Sequence, residues 1–151
     1  MESKVIAQAK KNLRDYKIIE RFVAGIVLTG DEIKSLRNRQ VSINEAYVLP
    51  QQNELYVFNM NITAYFRSSG FTKSHDTRRK RKLLLKRREI NKLIGTMKAK
   101  NYVLIPLKLF ITKKGWAKLE IAFAQHLRKY QIKEKIKERE IKRKLRQGED
   151  Y

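Results

Sequence analysis

Between Tyr16 and about Ile62, apolar and polar positions fall into three short runs, YKIIERFVAGIVL, VSINEAYVL and ELYVFNMNI. Each is rich in β-branched and aromatic residues with turn chemistry between them, which predicts strands. Pro50-Gln51-Gln52-Asn53 separates the second run from the third as a hairpin loop would. Between the first two runs the period changes to that of a helix, in TGDEIKSLRNRQ. Thr29 is the expected N-cap and Glu32 completes a capping box, so a structural role is expected of Glu32. Ile33 and Leu36 face one side of this helix, while Lys34 and Arg37 share another. A second helix is expected from about Leu83 to Lys98, because Ile90, Leu93, Ile94 and Met97 form one buried stripe. Two further strands, YVLIPLKLFIT and WAKLEIAFA, are joined through Lys113-Lys114-Gly115 as a hairpin. In the second of these, Trp116, Lys118 and Glu120 alternate with Ala117, Leu119 and Ile121, so one face meets a core and the other meets solvent.

Five or six short strands with two helices in about 110 residues predict a mainly β fold. The expected form is a small closed antiparallel barrel of the oligonucleotide-binding (OB) type, with appended helices. Residues 1–124 form the predicted domain, with residues 1–15 polar, basic and loosely held. From Gln125 the core signal ends. The basic segment 125–151 keeps only a thin apolar stripe, Ile132 with Ile136 and Ile141 with Leu145. That stripe buries too little to offset the entropy of ordering, so a tail that is disordered when free and helical on a partner is expected.

Charge then narrows the function. The 151 residues include 36 Lys and Arg against 15 Asp and Glu, a net charge of +21. Solubility alone needs a net charge of only about 2–8 in a small domain. A surface this basic attracts polyanions, nucleic acid first and acidic membrane second. There is no cysteine, which excludes disulfides and thiolate chemistry. No apolar segment of signal-peptide or membrane-spanning length is present, so a cytoplasmic protein with no membrane partner is expected.

The densest candidate chemistry is KSHDTRRKRKLLLKRREI, where flexible cations flank an apolar anchor. Guanidinium forks suit phosphate oxygens, and leucines can fix the base of such a segment. Tyr130, between Lys129 and Lys133, is positioned in sequence either to stack on a base or to pack on the barrel. No enzyme is expected. The two histidines, His75 and His126, lie far apart, and no P-loop, zinc-protease helix, dinucleotide-binding glycine pattern or nucleophile elbow occurs. Neither a cofactor nor a metal is expected. A basic ribosomal or ribosome-assembly protein that threads its tail through ribosomal RNA is the alternative reading of these residues.

Three blocks carry a resemblance. AGIVLTGDEIKSLRNRQVSINEAYV resembles the signature of the SsrA-binding proteins (small protein B). RKRKLLLKRREI resembles that family's Arg-x-Arg-Lys-Leu-Leu-Leu block, and NYVLIPLKLFITKKGWAKLEIAFA resembles its final hairpin. The match runs in unbroken order from about Lys10 to Arg139. The resemblance implies an OB-type barrel that binds the tRNA-like domain of transfer-messenger RNA and delivers it to stalled ribosomes for trans-translation. It implies the 70S ribosome, including its 16S rRNA, as the second partner; nothing in the sequence points beyond a monomer. Lys10, Lys11, Lys34, Ser35, Arg37, Arg79, Arg81, Lys82 and Leu84 match the family's RNA-binding positions. Tyr130, Lys133, Ile136, Lys137, Glu138 and Arg139 match its tail motif, which enters the empty messenger path and the decoding centre. The chain departs from the pattern at Ala9, where the family usually has Asn, and at Val23, where it has an acidic residue. His126-Leu127-Arg128 stands for the usual Gly-Lys-Lys, and Gln131-Ile132-Lys133 for Asp-Lys-Arg.

Overall fold

The computed structural model describes residues 3–63, 77–127 and 139–143, with backbone alone at 3 and 11–13. The longest strand, β2 (Tyr16–Ile26), pairs antiparallel with β9 (Ala117–His126), from Tyr16 opposite His126 to Gly25 opposite Lys118. The other edge of β9 takes β8 (Val103–Thr112), which returns through the predicted turn, with Gly115 at φ +87°. β8 meets β4 (Tyr47–Gln51) at Val48 opposite Leu104. β4 forms a hairpin with β5 (Glu54–Phe58), β5 pairs with β7 (Arg81–Leu84), and β7 returns to β2 at Gly25 and Ile26. The ring β8-β4-β5-β7-β2-β9 therefore closes on itself through the β8–β9 ladder, the antiparallel barrel that the pattern predicts. A short ladder of β3 (Val41–Ser42) with β6 (Asn61–Ile62) lies beside it.

Alternation within each strand fills the barrel. Val48, Leu55, Val57, Leu83, Leu109, Leu119, Ile121 and Phe123 turn inward and are all but inaccessible to solvent. The capped helix α2 (Gly30–Arg37) adds Leu36 to this core, and α3 (Arg87–Lys100) adds Ile90 and Leu93, with Ile94 and Met97 packed at its edge. On the opposite side of β8 and β9, Ile105, Leu107, Ala122 and Ala124 form a small second cluster with Tyr16 and Ile18. Strict in–out alternation therefore gives way to burial on both faces near the ends of β8 and β9.

Four local expectations change. Residues 3–8 form β1 (Ser3–Gln8), which continues the sheet along β8 opposite residues 108–112, and α1 (Lys10–Asp15) follows. The cause is tertiary: β8 outruns β4 and leaves an edge whose main-chain groups β1 satisfies, with Ile6 and Ala9 buried behind it. The predicted helix start at Leu83 gives way to strand β7, because the edges of β5 and β2 stand on either side of residues 81–84. The helix begins only at Arg87, where Glu89 accepts the N–H of Lys86 at 3.3 Å. The β4–β5 loop is shorter than predicted. Pro50 and Gln51 are in the strand, and Gln52 (φ +53°) with Asn53 (φ +61°) make the two-residue turn. Finally, the globular body runs past residue 124. Leu127 is buried, its N–H donates to Asp15 O at 3.0 Å, and the His126 ring meets Tyr16 edge-on.

Candidate nucleic-acid interface

Glu32 is the hub of the basic surface. Its position as third residue of α2 lets its N–H donate to Thr29 Oγ1 at 3.2 Å while its Oε1 accepts the Thr29 N–H at 2.9 Å. That is the capping box expected from sequence. The same carboxylate also receives two arginines from nearly 50 residues further along the chain. Arg79 Nη2 donates to Oε1 at 2.5 Å, and Arg81 Nε donates to Oε2 at 2.8 Å, joined there by Nη2. Burial raises the Glu32 pKa and is the largest single influence. Bonds from Arg81, from the Thr29 N–H and from Arg79 together outweigh it and hold the carboxyl below its ordinary value.

Arg81 has no exposed surface. Beyond Glu32, its guanidinium donates to Met60 O at 2.6 Å, Arg79 O at 3.1 Å and Thr77 O at 3.1 Å, so the full fork is used inside the protein. Ser35 is likewise buried and donates to Thr63 O at 2.7 Å. These bonds fix α2 against β6 and β7 from two directions. With that helix immobile, Lys34 and Arg37 project from its exposed side, and Arg79, about a third exposed, stands beside its first turn.

Of the positions singled out in the sequence, the structure thus gathers Lys34, Ser35, Arg37, Arg79 and Arg81 around α2. Lys82 and Leu84 point outward from the barrel wall on β7, Lys82 with its ammonium 4.0 Å from Glu54 and Leu84 half exposed. Gly25 permits the close approach of β7 to β2 there, since a Cβ on it would lie 3.2 Å from Leu84 Cβ. Lys10 is exposed at the start of α1. The side chain of Lys11, and all of Tyr130, Lys133, Ile136, Lys137 and Glu138, lie outside the described residues. Arg139 opens an exposed helical turn at 139–143. Both barrel departures are explicit: Ala9 is buried in the core, and Val23 is exposed opposite Glu120, which Arg21 holds at 3.2 Å.

Sequence reasoning missed two features. The capping box explains Glu32 locally, and nothing local announces its two arginine partners, Arg81 buried and Arg79 partly exposed. The outward residues of β4 and β5 were also missed, although Tyr47, Leu49, Tyr56 and Phe58 alternate with Val48, Leu55 and Val57. Both sets are apolar, so hydropathy alone does not tell inside from outside. Among the described residues no group of three acidic, histidine or cysteine side chains is placed to hold a metal ion, and no helix is long and apolar enough to cross a membrane.

A small, strongly basic, OB-like barrel with a firmly held cationic helix has the architecture and charge of a nucleic-acid-binding protein. The family model for SmpB protein matches residues 6–149. The SsrA-binding protein of Geobacillus kaustophilus (strain HTA426) is 46% identical over 144 residues, covering 95% of this chain and 91% of that protein. The SsrA-binding protein of Pseudothermotoga lettingae is 43% identical over 141 residues, covering 93% and 94%. Among solved structures, a chain from "tmRNA-SmpB: a journey to the center of the bacterial ribosome" superposes with a TM-score of 0.61 at 37% identity. That superposition covers 77% of this chain and 80% of the other. The chain belongs to the SmpB protein family.

Proposed function

We propose that this protein binds the tRNA-like domain of transfer-messenger RNA and delivers it to stalled ribosomes. The observation that carries this reading is the family match from residue 6 to residue 149, which spans barrel and tail together. The surface supports it physically. Lys34, Arg37, Arg79 and Lys82 offer cations on elements too well anchored to need ordering on contact, and Lys10 and Lys11 add charge at the amino terminus. Preorganised cations of this kind suit phosphates at fixed spacing, as on a folded RNA elbow. Leu84 is an exposed apolar contact beside them. Ser35 and Arg81 act differently: being buried, they serve as positioning residues for α2 and for Arg79. The tail, with Tyr130, Lys133, Ile136, Lys137, Glu138 and Arg139, enters the vacant messenger path and orders there. The protein carries no reaction of its own and works as an adaptor.

The test is a competition at two salt concentrations between the cognate transfer-messenger RNA, total tRNA and duplex RNA. Preference for the transfer-messenger RNA that persists at the higher salt is expected. Equal binding to all three, lost together as salt rises, would leave only a basic surface and favour a ribosomal-RNA-binding protein instead.

A further inference from the structure

The outer wall of the barrel at β4, β5 and β7 carries a second kind of surface. Cross-strand register puts Tyr47 opposite Phe58, and Leu49 opposite Tyr56, which is in turn opposite Lys82. The Tyr47 and Phe58 rings stack with centroids 5.6 Å apart and planes 9° from parallel, and Tyr56 meets Phe58 edge-on at 6.5 Å. Three aromatic rings in contact thus form a cluster on the outside of the protein, Tyr47 and Phe58 face to face and Tyr56 tilted against Phe58, with Tyr47 44% and Leu49 45% exposed. Cations border it. Lys80 Nζ lies over the Tyr56 ring, 4.7 Å from its centre, and also donates to Gln51, while Lys82 stands opposite Tyr56, so Tyr47 carries the most accessible ring of the cluster. The carboxylate of Glu54, at the hairpin end, is already engaged by Arg87 and Lys82.

We infer that this cluster, through the exposed ring of Tyr47, is a stacking platform for unpaired nucleotides, distinct from the cationic surface of α2. The border decides the partner's chemistry: flat rings flanked by ammonium groups fit a ligand that offers flat apolar faces joined by anionic links, which is single-stranded RNA. Because stacking on a ring face does not depend on a base's hydrogen-bonding edge, the platform should accept any base, with stronger stacking for purines. The inference rests on the RNA-binding reading above but names a separate RNA feature, on a surface that meets the cationic one at Lys82.

The test uses the full-length chain with labelled 12-nucleotide oligoadenosine and oligouridine, a blunt RNA hairpin, and the complete transfer-messenger RNA as probes. Tyr47 is exposed enough to be changed without emptying the core, and thermal unfolding checks each variant. Tyr47→Leu, which keeps apolar area and loses the ring, should weaken oligoadenosine binding at least about fivefold and leave the hairpin unaffected. Tyr47→Trp should restore or exceed the original affinity. On the unaltered protein, a 4-thiouridine-containing oligonucleotide should photo-crosslink to residues 47–58. Crosslinks elsewhere, together with unchanged oligonucleotide binding by Tyr47→Leu, would overturn the platform. So would normal oligonucleotide binding combined with lost ribosome association in Tyr47→Leu, since that outcome assigns the face to a protein. If the unaltered protein shows no preference for transfer-messenger RNA while the crosslinks still fall on 47–58, the adaptor reading fails and the platform stands.

Discussion

Burial pushes the Glu32 pKa upward, and the hydrogen bonds that Thr29, Arg79 and Arg81 donate to it more than offset that push. Removing one partner leaves the other as a buried, unmatched charge. Glu32→Ala is therefore expected to destabilise the protein by about 3–5 kcal/mol in urea unfolding. Acid acts in the same direction. Since the folded-state pKa of Glu32 lies below its unfolded value, its contribution is complete above the ordinary carboxylate range and is lost as pH falls through the folded value. Urea unfolding followed downward from pH 7 should show stability falling in the acid range, with a shallower fall in Glu32→Gln than in the unaltered protein. A slope unchanged by that substitution would mean that other carboxylates carry the acid sensitivity. At Ser35 the stake is smaller. Ser35→Ala removes its part-buried bond to Thr63 O and should cost about 0.5–1.5 kcal/mol, with RNA affinity reduced only as far as α2 loosens.

Among the elements, α2 links stability to binding most directly, since one face is fastened by Glu32, Ser35 and Leu36 and the other carries Lys34 and Arg37. Thr29→Ala removes its side-chain cap and should cost about 1 kcal/mol. At β9 the end of the body sets where the tail can be cut. A chain ending at Leu127 keeps its bond to Asp15 and should match the full-length protein in melting temperature and barrel–RNA affinity while losing ribosome rescue. A chain ending at Gln125 loses buried Leu127 and the His126–Tyr16 contact, and should melt lower. Equal melting temperatures for the two truncations would show that residues 126–127 add nothing to the body. The elements also explain which strands were legible. β2, β5, β8 and β9 announce themselves through their own composition, and the capping box of α2 lies within four consecutive residues. β1 and β7 are strands because neighbouring edges need partners, and no short-range signal carries that requirement.

For the whole molecule, the net charge of +21 makes RNA binding steep in salt, with each phosphate neutralised contributing a slope of about −0.7 to −0.9 in log affinity against log salt. Lys34→Gln should weaken binding across all RNA sequences and reduce the slope by about one unit. An unchanged slope would remove Lys34 from the phosphate contacts. By itself the sequence determined the strongly basic character, the family, the β-rich barrel with its capped helix, the stripe of the second helix and the β8–β9 hairpin. Each depends on periodicity, on contacts within a few residues, or on blocks in a fixed order. Only the tertiary structure decided which cations face solvent. Arg79 and Arg81, two residues apart in one basic run, divide into a partly exposed side chain and a wholly buried one, because the barrel brings Glu32 and the carbonyls of Met60 and Thr77 around Arg81. It likewise decided that Tyr47, Tyr56 and Phe58 look outward while Val48, Leu55 and Val57 look in. The physical reason is common to both: burial is set by closure of the ring between segments distant in sequence, and hydropathy does not encode that closure one residue at a time.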